Sequence, residues 1–406
     1  MTPDPRPALI ADAVARHRAG KLTRRQVIGL LGALGLSAAA VPVLVGRNAS
    51  AKTATGGHGG HLTAAQEPAA AAPAATPSLG ERPDGSATFK VVAGGMVMEE
   101  LIDVLAFFPT EVTVNVGDSL FWETAGFHNV HFLSGQPLPP GIVPETALVG
   151  AASPPASPAS GPPRLFENPV VVTPSGGTTY DGSGVVNSGI LDPSAPFVLS
   201  FTAPGAYDYY CTIHGEVMKG TVVVQEQGAT RPEDQAAIDR RGTTELEAQI
   251  AQAEAMIAAQ DGAATPAAGG VHEVAVGLSG GQFAIDRFFP AVLTIGAGET
   301  VRFVNPTTAP PAPHIVTFLS GAEAPELVFP EPSEAGPPLL VFNPQLLTPA
   351  GGETYGGEGF FSSGLLFAET GVTDYELTFA TPGTYRYYCA FHGSPDEGMF
   401  ADIVVE

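Results

Sequence analysis

Two short segments of this 406-residue chain carry cysteine, histidine and methionine at a spacing suited to holding a metal. They are Cys211-Thr-Ile-His214-Gly-Glu-Val-Met218 and Cys389-Ala-Phe-His392-Gly-Ser-Pro-Asp-Glu-Gly-Met399. Each follows one strand-like stretch and precedes another. Well upstream of each, a further histidine, His128 or His314, opens a strand that ends in Phe-Leu-Ser-Gly. A thiolate with two neutral imidazoles and a weak axial thioether is the trigonal donor set that favours copper and suits one-electron exchange. Cys211 and Cys389 are the only cysteines, too few for a disulfide framework. A single bridge between them would need the same loop of two copies to meet at a short Cα separation. His131 stands three residues beyond His128, on the opposite face of a strand, so the two cannot easily share a metal; it reads as an exposed or packing residue. Met256, in a helical apolar face without nearby His or Cys, reads as packing.

The elements around these segments occur twice. Phe107-Phe108-Pro109 returns as Phe288-Phe289-Pro290, Asn168-Pro169 as Asn343-Pro344, and Pro204-Gly-Ala-Tyr-Asp-Tyr-Tyr-Cys211 as Pro382-Gly-Thr-Tyr-Arg-Tyr-Tyr-Cys389, in preserved order. So long a period indicates a duplicated domain and not a solenoid. Alternating stretches such as 112–116, 197–201 and 221–225, bounded by Gly or Pro, predict half-buried strands. With 49 glycines and 39 prolines against only 15% charged residues, the expected fold is all-β: two tandem Greek-key sandwiches or barrels. Between them, Thr244-Glu-Leu-Glu247 reads as a capping box opening a helix whose apolar face is Leu246, Ile250, Ala253 and Ile257. The expected organisation is a signal at 1–51, a flexible Ala/Pro/Gly tether at 52–85, domains at 86–226 and 270–406, and a helical linker at 227–269.

Tyr-Tyr-Cys-x-x-His with a following methionine, and His128-Asn-Val upstream, resembles plastocyanin and its cupredoxin relatives. The resemblance covers both repeats. It implies cupredoxin-like domains, a type 1 copper held by His128, Cys211, His214 and Met218, and a second held by His314, Cys389, His392 and Met399. Two departures stand out: Ile315 replaces the family-like Asn129, and six residues instead of three separate His392 from Met399. Each repeat also has a long stretch, 82 and 74 residues, between its first histidine and its cysteine, with no function evident from its composition. Copper nitrite reductases also have two such domains but place a histidine directly before the cysteine. Here Tyr210 and Tyr388 fill that place, and Leu133 stands where another catalytic-copper ligand would be. Neither the His-x-His pairs nor the His-Cys-His run of multicopper oxidases occurs.

Thr23-Arg24-Arg25-Gln-Val-Ile before an uncharged run from Val27 to Gly46, then Ala49-Ser-Ala51, resembles a twin-arginine export signal with a small-x-small cleavage site. The alternative is a retained membrane anchor. His58 and His61 in the following Gly-rich segment read as low-complexity residues. The net charge of −23 opposes nucleic-acid binding. The expectation is therefore an exported prokaryotic protein, periplasmic, extracellular or on the cell surface, that carries single electrons and is not an enzyme. Its partners would be redox proteins with neutral or basic docking surfaces, without nucleic acid, and with membrane contact only if the signal is kept. Copper buffering or delivery is the alternative. The ligand loop of repeat 2 adds Asp396 and Glu397, whereas Glu216 and Lys219 offset each other in repeat 1; the second centre is expected to have the lower reduction potential.

Overall fold

The computed structural model describes residues 77–148, 164–193, 196–261, 271–306, 310–332 and 338–406. The segment expected to be an export signal, the histidines at 58 and 61, and most of the expected tether lie outside the described residues. Contacts gather Leu79–Leu191 and Val198–Glu406 into one unit that holds both repeats. The other unit is Met1–Ser78 with Asp192–Phe197, of which only residues 77–78, 192–193 and 196–197 are described. No helix among the described residues is long and apolar enough to cross a membrane.

The fold is all-β, as the alternation of apolar and polar residues requires. In Glu111–Asn115, Val112 and Val114 are buried while Glu111 is exposed, the inward-outward period of a strand. The principal strands of the first repeat are β1 (Ala87–Val97), β2 (Ile102–Phe108), β3 (Asn129–Phe132), β4 (Leu165–Glu167), β5 (Gly205–Tyr210) and β6 (Lys219–Gln225). Helix α1 (Gln235–Asp261) follows. The second repeat contributes β7 (Val271–Gly280), β8 (Phe283–Phe289), β9 (Leu339–Phe342), β10 (Gly383–Ser394) and β11 (Glu397–Val405). One five-stranded sheet contains β3, β5 and β6; a six-stranded sheet contains β10 and β11. Both end in a parallel edge pair, Glu111–Asn115 on β6 and Val292–Ile295 on β11. Aromatic side chains fill the interiors alike: Tyr209 lies 5.1 Å from Phe132 and Tyr387 lies 5.2 Å from Phe318, both stacked. The duplicated Asn-Pro pairs open one-turn helices, with Asn168 and Asn343 accepting hydrogen bonds from Val170 and Gln345 N–H groups and Pro in the first turn, where its missing N–H costs nothing.

The two repeats share a sheet. An eleven-stranded sheet runs through β7, β8, β2 and β1 in that order, and β8 pairs antiparallel with β2. Helix α1 covers this seam: its Ala253 and Ile257 are buried with Ile102, Val104, Phe283 and Ile285, while Leu246, Ile250 and Met256 pack alongside. The helix starts at Gln235, nearly three turns before the capping-box reading allowed. Asp234 caps it, its carboxylate accepting from Ala237 N–H at 2.8 Å, and Thr244 sits in the interior with its hydroxyl donating to the Arg240 carbonyl. Gly242, which weakens the helical pattern, permits close approach: a Cβ there would come within 3.0 Å of the Phe108 backbone.

The long stretches between first histidine and cysteine also meet. Ile142–Pro144 and β4 from the first repeat join β9 and Val328–Glu331 from the second in a four-stranded sheet, Phe166 opposite Val341. Val143, Phe166 and Val341 form its buried apolar cluster. Arg164 staples it, pairing with the nearly buried Glu145 at 3.1 Å and with Glu331 across the repeats. Removing a cation from such a pair strands buried negative charge. Arg164→Ala is expected to lower unfolding stability by about 2 to 3 kcal/mol, read from urea denaturation; a loss below about 0.5 kcal/mol would show the staple to be an ordinary surface pair.

Candidate metal centres

In the first repeat, His128 immediately precedes β3 and Cys211 immediately follows β5. These strands are adjacent, with His131 opposite Tyr210, so the histidine and the sulfur are delivered from neighbouring strand ends. The loop after Cys211 closes tightly. Its carbonyl accepts from His214 and Gly215 N–H, and its own N–H donates to the Met218 carbonyl at 2.9 Å. The result is a triangle of donor atoms: His128 Nδ1 to His214 Nδ1 3.2 Å, Cys211 Sγ to His214 Nδ1 3.3 Å, and Cys211 Sγ to His128 Nδ1 3.8 Å. His128, Cys211 and Met218 are fully buried and His214 is half-buried.

The second repeat repeats the triangle: His314 Nδ1 to His392 Nδ1 3.1 Å, Cys389 Sγ to His392 Nδ1 3.6 Å, and Cys389 Sγ to His314 Nδ1 3.7 Å. These two trios are the groups of three among the described residues able to hold a metal ion. The longer spacing to Met399 has a structural reason. Here β10 continues past the histidine and turns back as β11, pairing Gly393 with Gly398 and Ser394 with Glu397. The extra residues form a hairpin tip, and Met399 returns fully buried to the second-repeat core.

Burial pushes the His214 imidazole down to about 4, with His392 adding to it. His128 and His314 are lowered further, by burial first and then by His214 and His392 respectively. All three rings are neutral at pH 7, as metal ligation requires. Burial pushes the Cys211 thiol up to about 11, against opposing backbone N–H groups led by that of Asn129. Buried and further raised by the nearby Asp103 carboxylate, the thiol keeps its proton until a cation arrives. Copper fits this donor set. A triangle with edges of roughly 3.5 Å has its centre about 2 Å from each corner, the length of a first-row metal bond to imidazole, and a trigonal set of two imidazoles and a thiolate is one that copper favours.

The surroundings of the two triangles differ. The Asn129 side chain braces the first: it accepts from Thr212 N–H at 2.7 Å and donates to the Thr212 hydroxyl and the Val171 carbonyl. Ile315 supplies none of this. Both positions nonetheless place a backbone N–H 3.4 Å from the sulfur, a contact that no side-chain change removes. His131 is buried with Nδ1 3.2 Å from the Thr212 hydroxyl, so it packs against the ligand loop and stands outside the triangle. The charge difference expected between the loops is diluted: Asp396 is highly exposed and faces Arg386 at 3.8 Å, and Lys219 pairs with Asp208.

Two pairs of residues escaped the sequence reading. Gly94 in β1 and Gly277 in β7 occupy bulges with φ of +80° and +77°. A Cβ there would fall 2.0 Å from His128 Nε2 and 2.3 Å from His314 Nε2. Only glycine leaves room for these rings. Asp103 and Asp286 follow Ile102 and Ile285 in strands that are otherwise largely apolar. Burial, then the charge of Asp286, pushes Asp103 up to about 8, and Asp286 Oδ1 lies 3.7 Å from His392 Nδ1. The recurrence of Ile-Asp shortly before Phe-Phe-Pro is the signal that could have found them.

No family model matches the chain, and no curated protein does. Among solved structures, an oxidized mutant of amicyanin is 21% identical, over 34% of this chain and 82% of that one, with a TM-score of 0.19. A mutant plastocyanin of fern, in oxidized and reduced structures, is 25% identical over 33% of this chain and 99% of that one, with a TM-score of 0.20.

The glycine cradles generate a prediction specific to each repeat. Gly94→Ala is expected to displace His128 and lower metal affinity at the first centre at least tenfold, leaving the second unchanged, with Gly277→Ala giving the mirror result. Competition with a copper chelator measures both. Unchanged affinity in both variants would show that the rings have room to move.

Proposed function

We propose that the chain is an exported copper protein that carries single electrons between redox partners, with one type 1 centre in each repeat. The observation that carries this reading is the pair of His-Cys-His triangles, each followed by a buried methionine, on the ligand loop in the first repeat and on β11 in the second. When bound, copper supplies the one-electron step by alternating between its cuprous and cupric states. The residues supply the rest. His128, His214, His314 and His392 offer Nδ1 atoms, Cys211 and Cys389 give up the thiol proton on loading, and Met218 and Met399 are the axial candidates. Strand ends fix His128 and Cys211, and β10 with a bridge to Leu366 fixes Cys389 and His314, so little needs to rearrange between oxidation states.

Three observations favour this reading over its rivals. A catalytic copper keeps a position open for substrate, whereas here each trio of donors is followed by a buried methionine that could fill a fourth position. Tyr210 and Tyr388, in place of histidine, speak against chemistry of the nitrite reductase type. Buffering or delivery calls for exposed, exchangeable ligands, whereas both cysteines are fully buried. The net charge of −23 suits partners with neutral or basic docking surfaces, and the arginine pair ahead of the apolar run supports export.

The mature chain is expected to bind two copper ions, and Cys211→Ser is expected to remove one of two intense thiolate-to-copper absorption components. A stoichiometry of one, or full absorption in that variant, would contradict the assignment. Replacing Arg24 and Arg25 together with lysine is expected to abolish export, followed by cell fractionation; undiminished export would point to the general secretory route or to an anchor.

A further inference from the structure

The two centres flank a single seam. Across it β2 and β8 place Asp103 opposite Ala284 and Ile102 opposite Ile285. Alternation sorts the side chains: Ile102, Val104, Ala106, Phe283 and Ile285 enter the cluster beneath α1, which leaves Asp103, Phe107, Asp286 and Phe288 on the opposite face. That face carries the centres. Phe107 lies 4.6 Å from Tyr209, two residues before Cys211, and Phe288 lies 4.6 Å from Tyr387, two residues before Cys389.

Side chains from the seam then reach the ligands of both repeats. Asp286 Oδ1 is 3.7 Å from His392 Nδ1. Its diagonal neighbour across the strands is Asp103, at a Cβ separation of roughly 7 Å for such positions. A methyl group built on Gly126 would lie 3.6 Å from Asp103 Oδ1 and 2.8 Å from His128 Nε2, which places this carboxylate beside the first centre. Gln282, just before β8, donates from Nε2 to the Val217 carbonyl at 2.8 Å, inside the Cys211–Met218 loop, while its own carbonyl accepts from Leu105 N–H at 2.7 Å. On another side the sheet shared by the long stretches lies over both loops: a Cβ on Gly141 would be 3.8 Å from the Ile213 carbonyl, and the Phe342 ring is 5.8 Å from that of Phe391.

We propose that the two centres exchange electrons directly within one chain, across the β2–β8 seam, so that an electron received at one centre leaves from the other. The inference rests on the copper reading above and adds to it a relay. The step balances by itself: one electron passes from the reduced centre to the oxidised one, no bond forms or breaks, and no proton is required. A partner then needs to dock at only one centre, and the covered ligand loops of the other do not impede turnover. Duplication provides an internal donor–acceptor pair held by a β-ladder, a contact far more rigid than an encounter between two chains.

The test uses the full copper-loaded chain. Pulsed EPR of the fully oxidised protein is expected to give one narrow inter-copper distance of about 10 to 20 Å, the diagonal cross-strand spacing with a side chain and a metal bond on either side. Met218→Gln, which alters the axial donor of the first centre and separates the two spectra, is then flash-reduced substoichiometrically. Absorption is expected to redistribute between the centres with a rate constant unchanged over a tenfold range of protein concentration. The phase should vanish when Cys389→Ser is added. A redistribution rate proportional to concentration, no redistribution, or a broad or longer distance, in protein with both absorption components present, overturns the relay alone. A chain that takes up no copper overturns the copper reading and the relay with it.

Discussion

Each repeat must hold a thiol and two imidazole nitrogens facing one another in a dry interior. Groups so placed lose their hydration and gain in return little beyond one backbone N–H at each sulfur, a cost of several kcal/mol unless something replaces the water. A soft cation at the centre of the triangle provides that replacement. The local architecture follows from the constraint. In the first repeat two adjacent strands end at the same level to deliver His128 and Cys211; in the second, Cys389 lies within β10 and His314 is held by a bridge to Leu366. A turn or a hairpin brings back the second histidine. A bulged glycine makes room for the first ring, and a backbone N–H stands behind each sulfur. The burial that lowers the proton affinity of the histidines keeps them ready as ligands, while the same burial holds the Cys211 proton in place until charge compensation is available.

A second constraint acts between the repeats. The apolar face of β2 and β8 is covered neither by its own sandwich nor by water but by α1, and the carboxylates on the other face lie beside both centres. The sheet built from the long stretches joins the repeats once more, through Phe166 on Val341 and the Arg164 pairs. Such doubled connections make relative movement of the two centres costly, which is what short-range electron exchange needs and a flexible linker would not supply.

The all-β class was legible in the sequence because it rests on local patterns, the recurrence of the surrounding strings and the two-residue period of Val112 and Val114; Cys-x-x-His marked side chains that the structure brings together with an upstream histidine. What was hidden is non-local. β4 and β9 are three and four residues long, too short for a periodic signal, and pair only because two distant segments meet. The start of α1 was misplaced since Gly242, Thr243 and Thr244 carry the composition of a boundary. In the structure the glycine serves close packing on Phe108 and the hydroxyls turn back onto helix carbonyls. Gly94 and Gly277 were inconspicuous among the 49 glycines; only the histidine rings against them give them meaning. Asp103 and Asp286 look like exposed strand residues until the β2–β8 pairing places them together.

X-ray absorption at the copper edge of the loaded chain tests the central claim most directly. The account predicts a first shell of two nitrogen scatterers at about 2.0 Å and one sulfur at about 2.2 to 2.3 Å per copper, retained at each centre when the cysteine of the other centre is replaced. A first shell of nitrogen and oxygen alone, with no short sulfur, would contradict it.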